Sequence, residues 1–408
     1  MKKMMKKIRI FELKIKATEN YISLITSLAK RIEIRYSFEK YPFLIPPPGN
    51  GNIGDQAMCD AFCEYYKGIC VLVVENKNTF ILPKAYKDKI KVIEIPNLID
   101  AGFIRNLIAI FKLVRYSNQM SALSVIGADI IDGSYYLKES VNRLFILRLL
   151  ANLNVKTRIL GFSWSEKPEE ISTHMLKGVS RETKLLVRDP ISLARLLDAG
   201  VEPLTLCSDL VFSDLTTEEH GTIQAWIDKS KKPFVVVNIS GLSKNSSGDS
   251  TVEKYEYSQI ISYLHDLSYR IMIMPHVFRE KNGDTRIAKE LFDLSCNPDD
   301  LHIEDRFTPA NERLIMKSAE FLVTGRMHPA VIALSVGTPV IALETRGKVL
   351  GLMSQFNLEN LCVRRNLSFS KVVCEKIKYV KTNQIQISQQ IYSILPKILE
   401  LSKKNYID

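Results

Sequence analysis

The chain has 408 residues, 46% of them hydrophobic and 25% charged, which is too long for one ordinary core and suits two α/β domains. No run of about 18 apolar residues occurs, so no membrane-spanning helix is expected. The net charge of +11 is peripheral: residues 1–40 contribute +7 and residues 371–408 contribute +4, so the 330 between them carry none, which argues against a nucleic-acid groove.

The basic start, MKKMMKKIRIFELKIK, lacks the apolar stretch and small-residue cleavage site of a secretory signal. It reads as a solvated segment over 1–41, or as a peripheral contact with an anionic membrane surface through Lys2, Lys3, Lys6, Lys7 and Arg9. Seven cysteines without framework spacing suit a reducing cytoplasm. Cys59 and Cys63 share a helix without further ligands nearby, so buried small hydrophobes are expected there and no metal.

An N-terminal domain is expected over 42–215. It opens on YPFLIPPPGNGNIGDQAM, where Pro46–Pro48 break any helix and a glycine turn leads into a helix from about Gln56. Apolar runs at 69–75, 90–96, 123–133, 157–164, 184–190 and 204–212 then alternate with helical stretches, the grammar of βα units and a parallel sheet. A polar stretch at 213–233 reads as the crossing to a second domain over 216–360. There the runs 234–241, 269–276, 301–305, 320–326 and 338–344 repeat the pattern. Residues 361–408 read as a helical segment. The architecture expected is α/β: two Rossmann-like, doubly wound domains facing a cleft.

Ligands of open α/β sheets bind beyond the carboxyl ends of the strands, so the residues following each run are the candidates. They include Asp129 and Asp132, Arg188, Asn238, His276, and Arg326 with His328. Asp, Ser and Asn there are ordinary helix N-caps, whereas His and Arg are poor ones, which singles out His276, Arg188, Arg326 and His328. In VTGRMHPAVIALSVGTPVIAL, Pro329 fits a first helical turn with His328 near the N-cap, and Gly337 fits the helix end. Such a corner attracts anions through helix amides and a forked cation. The bland alternative pairs Arg326 with Asp305 or Glu344. The stretch GNGNIGDQAM can aim amides at an anion, with Asn52 and Asp55 fixing the turn or reaching a ligand, and a plain turn with an N-cap explains it almost as well.

Taken in order, GNGNIGDQA, IGADIIDGSYY, LLVRDPISLARLLDAGV with CSDLVF, MPH, and VTGRMHPAVIALSVGTPVIAL with KVLGLMSQF resemble the polysaccharide pyruvyl transferase family. The family's N-terminal half usually carries a glycine-rich run where this chain has Gly127–Ala128–Asp129. The resemblance implies transfer of a pyruvyl group from phosphoenolpyruvate, as co-substrate and with no other cofactor, to two sugar hydroxyls as a cyclic ketal. Under it His328 is the general acid/base and His276 a second candidate, while Arg326, Arg188 and Gly325 form the donor side. Asn52, Asp55, Asp129 and Asp132 line the acceptor side. The acceptor is a lipid-linked unit or a finished polymer, met in the cytoplasm or at the inner membrane face. A GT-B glycosyltransferase using a nucleotide sugar and a non-catalytic carbohydrate-binding relative are the alternatives.

Overall fold

The computed structural model describes residues 10–32, 39–240, 251–279, 283–295, 297–344, 347–366 and 368–407. The five N-terminal cations expected at a membrane surface lie outside these. The chain divides into two compact units. The first comprises residues 1–48, 59–210 and 403–408, the second residues 49–58 and 211–402.

The first unit is built on seven parallel strands: β1 (Tyr41–Ile45), β2 (Val71–Val74), β3 (Lys91–Glu94), β4 (Met120–Ala128), β5 (Thr157–Phe162), β6 (Thr183–Val187) and β7 (Thr205–Leu206). Their order is β3-β2-β1-β4-β5-β6-β7. Strands β2 and β5 are buried at every residue, as continuous apolar runs must be when helices cover both faces of a sheet. The edge strand β3 carries exposed Lys91, Val92 and Glu94 instead. The sequence runs mark β2 to β7, but β1 is hidden in the Pro-rich YPFLIPPP, and the run at 204–212 yields a two-residue strand followed by a 3₁₀ turn, Leu210–Ser213.

The second unit repeats the winding with six parallel strands: β8 (Phe234–Asn238), β9 (Arg270–Ile273), β10 (Leu301–His302), β11 (Leu322–Thr324), β12 (Val340–Leu343) and β13 (Cys362–Val363). The order is β10-β9-β8-β11-β12-β13. In both sheets the chain reverses direction of travel at one point, between β1 and β4 and between β8 and β11, and such a switch point is where doubly wound sheets bind ligands. The helical reading of 361–408 needs correcting at its start. Cys362–Val363 is a strand of the second sheet, paired with β12, and the helical stretch Phe369–Lys403 belongs to the second unit up to Ser402, with a non-helical break at Asn383.

The N-terminal segment is also more than a solvated tail. Leu13, Ile22, Ile25 and Ala29 join the core of the first unit, with helix Glu19–Ile32 presenting its apolar stripe inward. Lys16, read from the sequence as one of a run of surface cations, is only 2% exposed. Its ammonium donates to the Oδ1 atoms of Asn106 and Asn142 and lies over the rings of Phe103 and Phe145. The two asparagines are anchored in turn through their amide nitrogens on the carbonyls of Leu98 and Ile99. Burial lowers the Lys16 pKa to about 8, against a partial counter-effect from Glu12. The folded value is below the unfolded one, so the native state is penalised while the amine is charged. Stability therefore rises with pH between about 8 and the unfolded value near 10.5. Urea midpoints measured from pH 7.5 to 10 should increase more for the wild type than for Lys16→Met, and parallel curves would remove Lys16 as the source.

Candidate functional site

The switch point of the second sheet is assembled by side chains that close the ends of β8 and β11. Asn238, the last residue of β8 and fully buried, accepts on its side-chain oxygen from the Thr324 hydroxyl (2.7 Å) and donates to the Met274 carbonyl (2.8 Å). The Asn238 carbonyl accepts from the Gly325 amide, and Thr324 Oγ1 accepts from the Arg326 amide at 3.0 Å. The strand therefore ends in a fixed corner, from which helix Met327–Ser335 departs. Arg326 is its N-cap residue, without a side-chain capping bond, and His328 is the second helical residue. His328 thus lies two positions past the N-cap instead of near it. Gly337, at φ +84°, adopts the left-handed conformation that ends the helix, as the sequence suggests.

Arg326 is not paired with Asp305 or Glu344. Its guanidinium forks onto Asp284, Nε donating to Oδ2 at 2.8 Å and Nη2 to Oδ1 at 2.6 Å. Asp284 is fully buried, and its Oδ2 also accepts from the backbone amides of His276 (3.2 Å) and Val277 (3.0 Å). One carboxylate thus sets both the cation and the segment that carries His276. His276 is 2% exposed, and its Nδ1 lies 3.2 Å from Oε2 of the fully buried Glu312. That is ion-pair distance, but the angle is off-line for a hydrogen bond, and neither ring nitrogen nor either Glu312 oxygen has a hydrogen-bond partner among the described residues. Glu312 is held by a helix start of its own: Thr308 and Asn311 form a reciprocal capping box with Pro309 in the first turn. The His276 and His328 rings lie nearly parallel, 16° apart in plane with centroids at 6.5 Å.

The glycine-bearing stretch joins this group. Residues 49–58 cluster with the second unit, so Asn52 and Asp55 belong with His276 and His328 and not, as expected, with Asp129 and Asp132. Asn52 pairs with Val277 in an isolated antiparallel bridge, and the Ile53 amide donates to the His276 carbonyl at 3.1 Å. Asn52 Oδ1 caps helix Ile53–Tyr65 by accepting from the amides of Gly54 (2.9 Å) and Asp55 (3.4 Å). Asp55 accepts from the Gly49 amide at 2.9 Å, and Arg279 lies 3.8 Å from the same carboxylate while donating to the carbonyls of Asn50 and Gly49. With these amides already engaged, the stretch is a capped turn and not an anion cradle. Its contribution is steric. A Cβ on Gly54 would lie 2.3 Å from His328 Nδ1, so the missing side chain at 54 is the space the imidazole occupies.

Arg188, Asp129 and Asp132 belong to the first unit. Arg188, expected to share the donor with Arg326, is 2% exposed and already engaged, Nη1 with Asp209 at 2.8 Å and Nε with Ser163 Oγ at 2.7 Å. Asp132 is buried and accepts from the amides of Ser134 (2.9 Å) and Ser165 (3.1 Å), tying the loop after β4 to the loop after β5. Asp129 is half-buried. It follows Ala128, a non-glycine residue at φ +44°, the position at which the glycine-rich run of the resembled family is replaced. Asp284, Glu312 and Arg279 escaped the sequence reading because they sit on loops and helix starts rather than after apolar runs. Among the described residues no group of three His, Cys, Asp or Glu is placed to hold a metal ion, and no helix is long and apolar enough to cross a membrane.

Two doubly wound parallel units with this switch-point corner define a GT-B-like protein. Solved structures of the same fold include UDP-GlcNAc 2-epimerase from Methanocaldococcus jannaschii, at 14% identity and TM-score 0.52 over 83% of this chain and 92% of that one. Os79 from O. sativa in complex with UDP aligns at 12% identity and TM-score 0.57, over 89% of this chain and 100% of that one. Residues 52–346 match the profile of the polysaccharide pyruvyl transferase family, and the chain belongs to that family, among the transferases of polysaccharide biosynthesis. A curated relative, the amylovoran biosynthesis protein AmsJ of Erwinia amylovora, is 21% identical over 332 residues, 78% of this chain and 79% of its own length.

Gly54→Ala should push the His328 ring off its position. With His328 in the acid/base role proposed below, a displacement of about 1 Å lowers turnover on the order of 10²-fold, so the variant should keep its fold, by circular dichroism, and lose transferase activity to that extent. Asp284→Asn should leave the half-buried Arg326 guanidinium without its counter-ion and lower stability in urea titration, by less than the about 3–5 kcal/mol of a fully buried pair.

Proposed function

We propose that the protein transfers the pyruvyl group of phosphoenolpyruvate to two hydroxyls of a sugar unit of a bacterial cell-surface polysaccharide. The observation that carries this reading is the pair of parallel imidazoles, His276 and His328, on a corner that also holds Arg326. The reaction needs proton traffic at two places. C3 of the enol gains a proton as one sugar oxygen adds to C2, and the second oxygen then displaces phosphate from C2. One hydroxyl proton ends on the new methyl group and the other on the departing phosphate. Two imidazoles are suited to such exchange near neutral pH.

Under this reading the two histidines divide the work. Glu312 beside Nδ1 of His276 favours the proton on that nitrogen and leaves Nε2 for exchange with the substrate. His328, half-buried against Gly54, takes the second position. Arg326 supplies positive charge to the donor through Nη1, since Nε and Nη2 are committed to Asp284. Asn52 and Asp55 shape the corner rather than contact the sugar.

The test is phosphate release from phosphoenolpyruvate against a panel of sugar acceptors, with mass spectrometry for the added pyruvate ketal. His328→Ala should lower turnover on the order of 10²–10⁴-fold while remaining folded. A folded His328→Ala with wild-type rate would exclude the acid/base role. Binding of a nucleotide sugar in preference to phosphoenolpyruvate would replace this reading by nucleotide-sugar transfer.

A further inference from the structure

A second arginine–carboxylate pair flanks the same corner, and its arginine lies beyond the family match. Arg365, just past β13, is ion-paired with Glu253 of helix Thr251–Asp266. Their side chains are 17% and 9% exposed. Tyr257, one turn after Glu253, is fully buried, and its hydroxyl has no hydrogen-bond partner among the described residues. Both groups converge on Gly325. A Cβ there would lie 3.0 Å from the Tyr257 oxygen and 3.4 Å from Arg365 Nη2, so the backbone at 325 is bare where the hydroxyl and the guanidinium meet it. The hydroxyl lies in the field of both pairs, Arg365–Glu253 and Arg326–Asp284.

Asp284 accepts from two backbone amides besides its arginine fork. For Glu253, burial pushes the carboxyl up to about 7 despite the opposing pull of Arg365, so this counter-ion takes up a proton readily. A buried hydroxyl without a partner is unfavourable, and in a folded protein such a group asks for an explanation.

We propose that Arg365 and Tyr257 form a second oxyanion subsite beside Gly325, in which one anionic group of the donor replaces Glu253 on Arg365 and accepts from the Tyr257 hydroxyl. This rests on the pyruvyl-transfer reading for the identity of the donor, and it divides the labour between the two arginines. Arg326 is the fixed cation of the corner, and Arg365 is the exchangeable one. The ligand group is an oxyanion, either the carboxylate or the phosphate of phosphoenolpyruvate.

Calorimetric titration of the full chain with phosphoenolpyruvate, pyruvate and inorganic phosphate tests the subsite without requiring turnover. Arg365→Gln should weaken phosphoenolpyruvate binding by roughly 10-fold or more, the usual scale for losing a hydrogen bond to a charged group. Tyr257→Phe should weaken it by a smaller factor in the same direction. Glu253→Gln removes the internal competitor and should tighten binding several-fold. Whichever of pyruvate and inorganic phosphate loses affinity with Arg365→Gln is the group held there. If Arg365→Gln fails to fold, Glu253→Gln decides: tighter binding supports the subsite, and unchanged or weaker binding overturns it. Wild-type affinity in a folded Arg365→Gln also overturns it, leaving the donor assignment intact. A wild-type protein that binds none of the three overturns both.

Discussion

The arrangement around His276, Arg326 and His328 depends on one buried carboxylate. Asp284 receives the Arg326 fork on both oxygens and the amides of His276 and Val277 on one of them. A carboxylate removed from water is unstable unless hydrogen bonds and an opposite charge replace its hydration, and here four donors do so. The return is positional. Segment 276–277 is fixed relative to the helix beginning at Met327, and the Asn52–Val277 bridge carries that order on to the glycine turn. Three stretches far apart in the chain are thereby referred to one atom pair.

The same dependence gives Arg326 a dual character. An arginine at the start of a helix is an obvious anion receptor when read alone. In the fold two of its five N–H donors are committed to Asp284, and that carboxylate balances much of its charge before any ligand arrives. A cation of that kind supplies direction and a residual field more than raw affinity. A second cation beside Gly325, paired with a carboxylate that burial pushes toward neutrality, complements it, because strong ligand capture and rigid scaffolding place opposite demands on a guanidinium.

Much of the winding was legible in the chain. Continuous apolar runs marked eleven of the thirteen strands because parallel strands covered on both faces leave no alternation to read. Strand β1 was missed because its prolines resemble a linker, and β13 because two residues carry no periodicity. The corner was legible as well, since Arg326 and His328 interrupt a strand–helix junction that packing alone would not furnish with a cation and an imidazole. Its supports were not. Asp284, Glu312, Tyr257 and Arg365 look like ordinary loop and helix residues, and only tertiary structure gives them neighbours. Arg188 misled for the converse reason: its place after a strand suggested a ligand, whereas Asp209 and Ser163 occupy it within the first unit. Asn52 and Asp55 were read as fixing the turn or reaching a ligand on the acceptor side; their bonds fix the turn, and local spacing could not tell which unit the turn would join.

The contact between Gly54 and His328 also constrains how such a sequence can change. The space that position 54 leaves empty is the space the imidazole fills, so the two positions behave as a single character. A lineage that keeps the imidazole has no neutral route away from glycine at 54. One that first loses the imidazole gains a vacant volume and is then free to accept a side chain there. The order of substitution is therefore fixed by sterics: histidine first, glycine second. A homologue carrying a side chain at the glycine position should lack the imidazole that fills that space here.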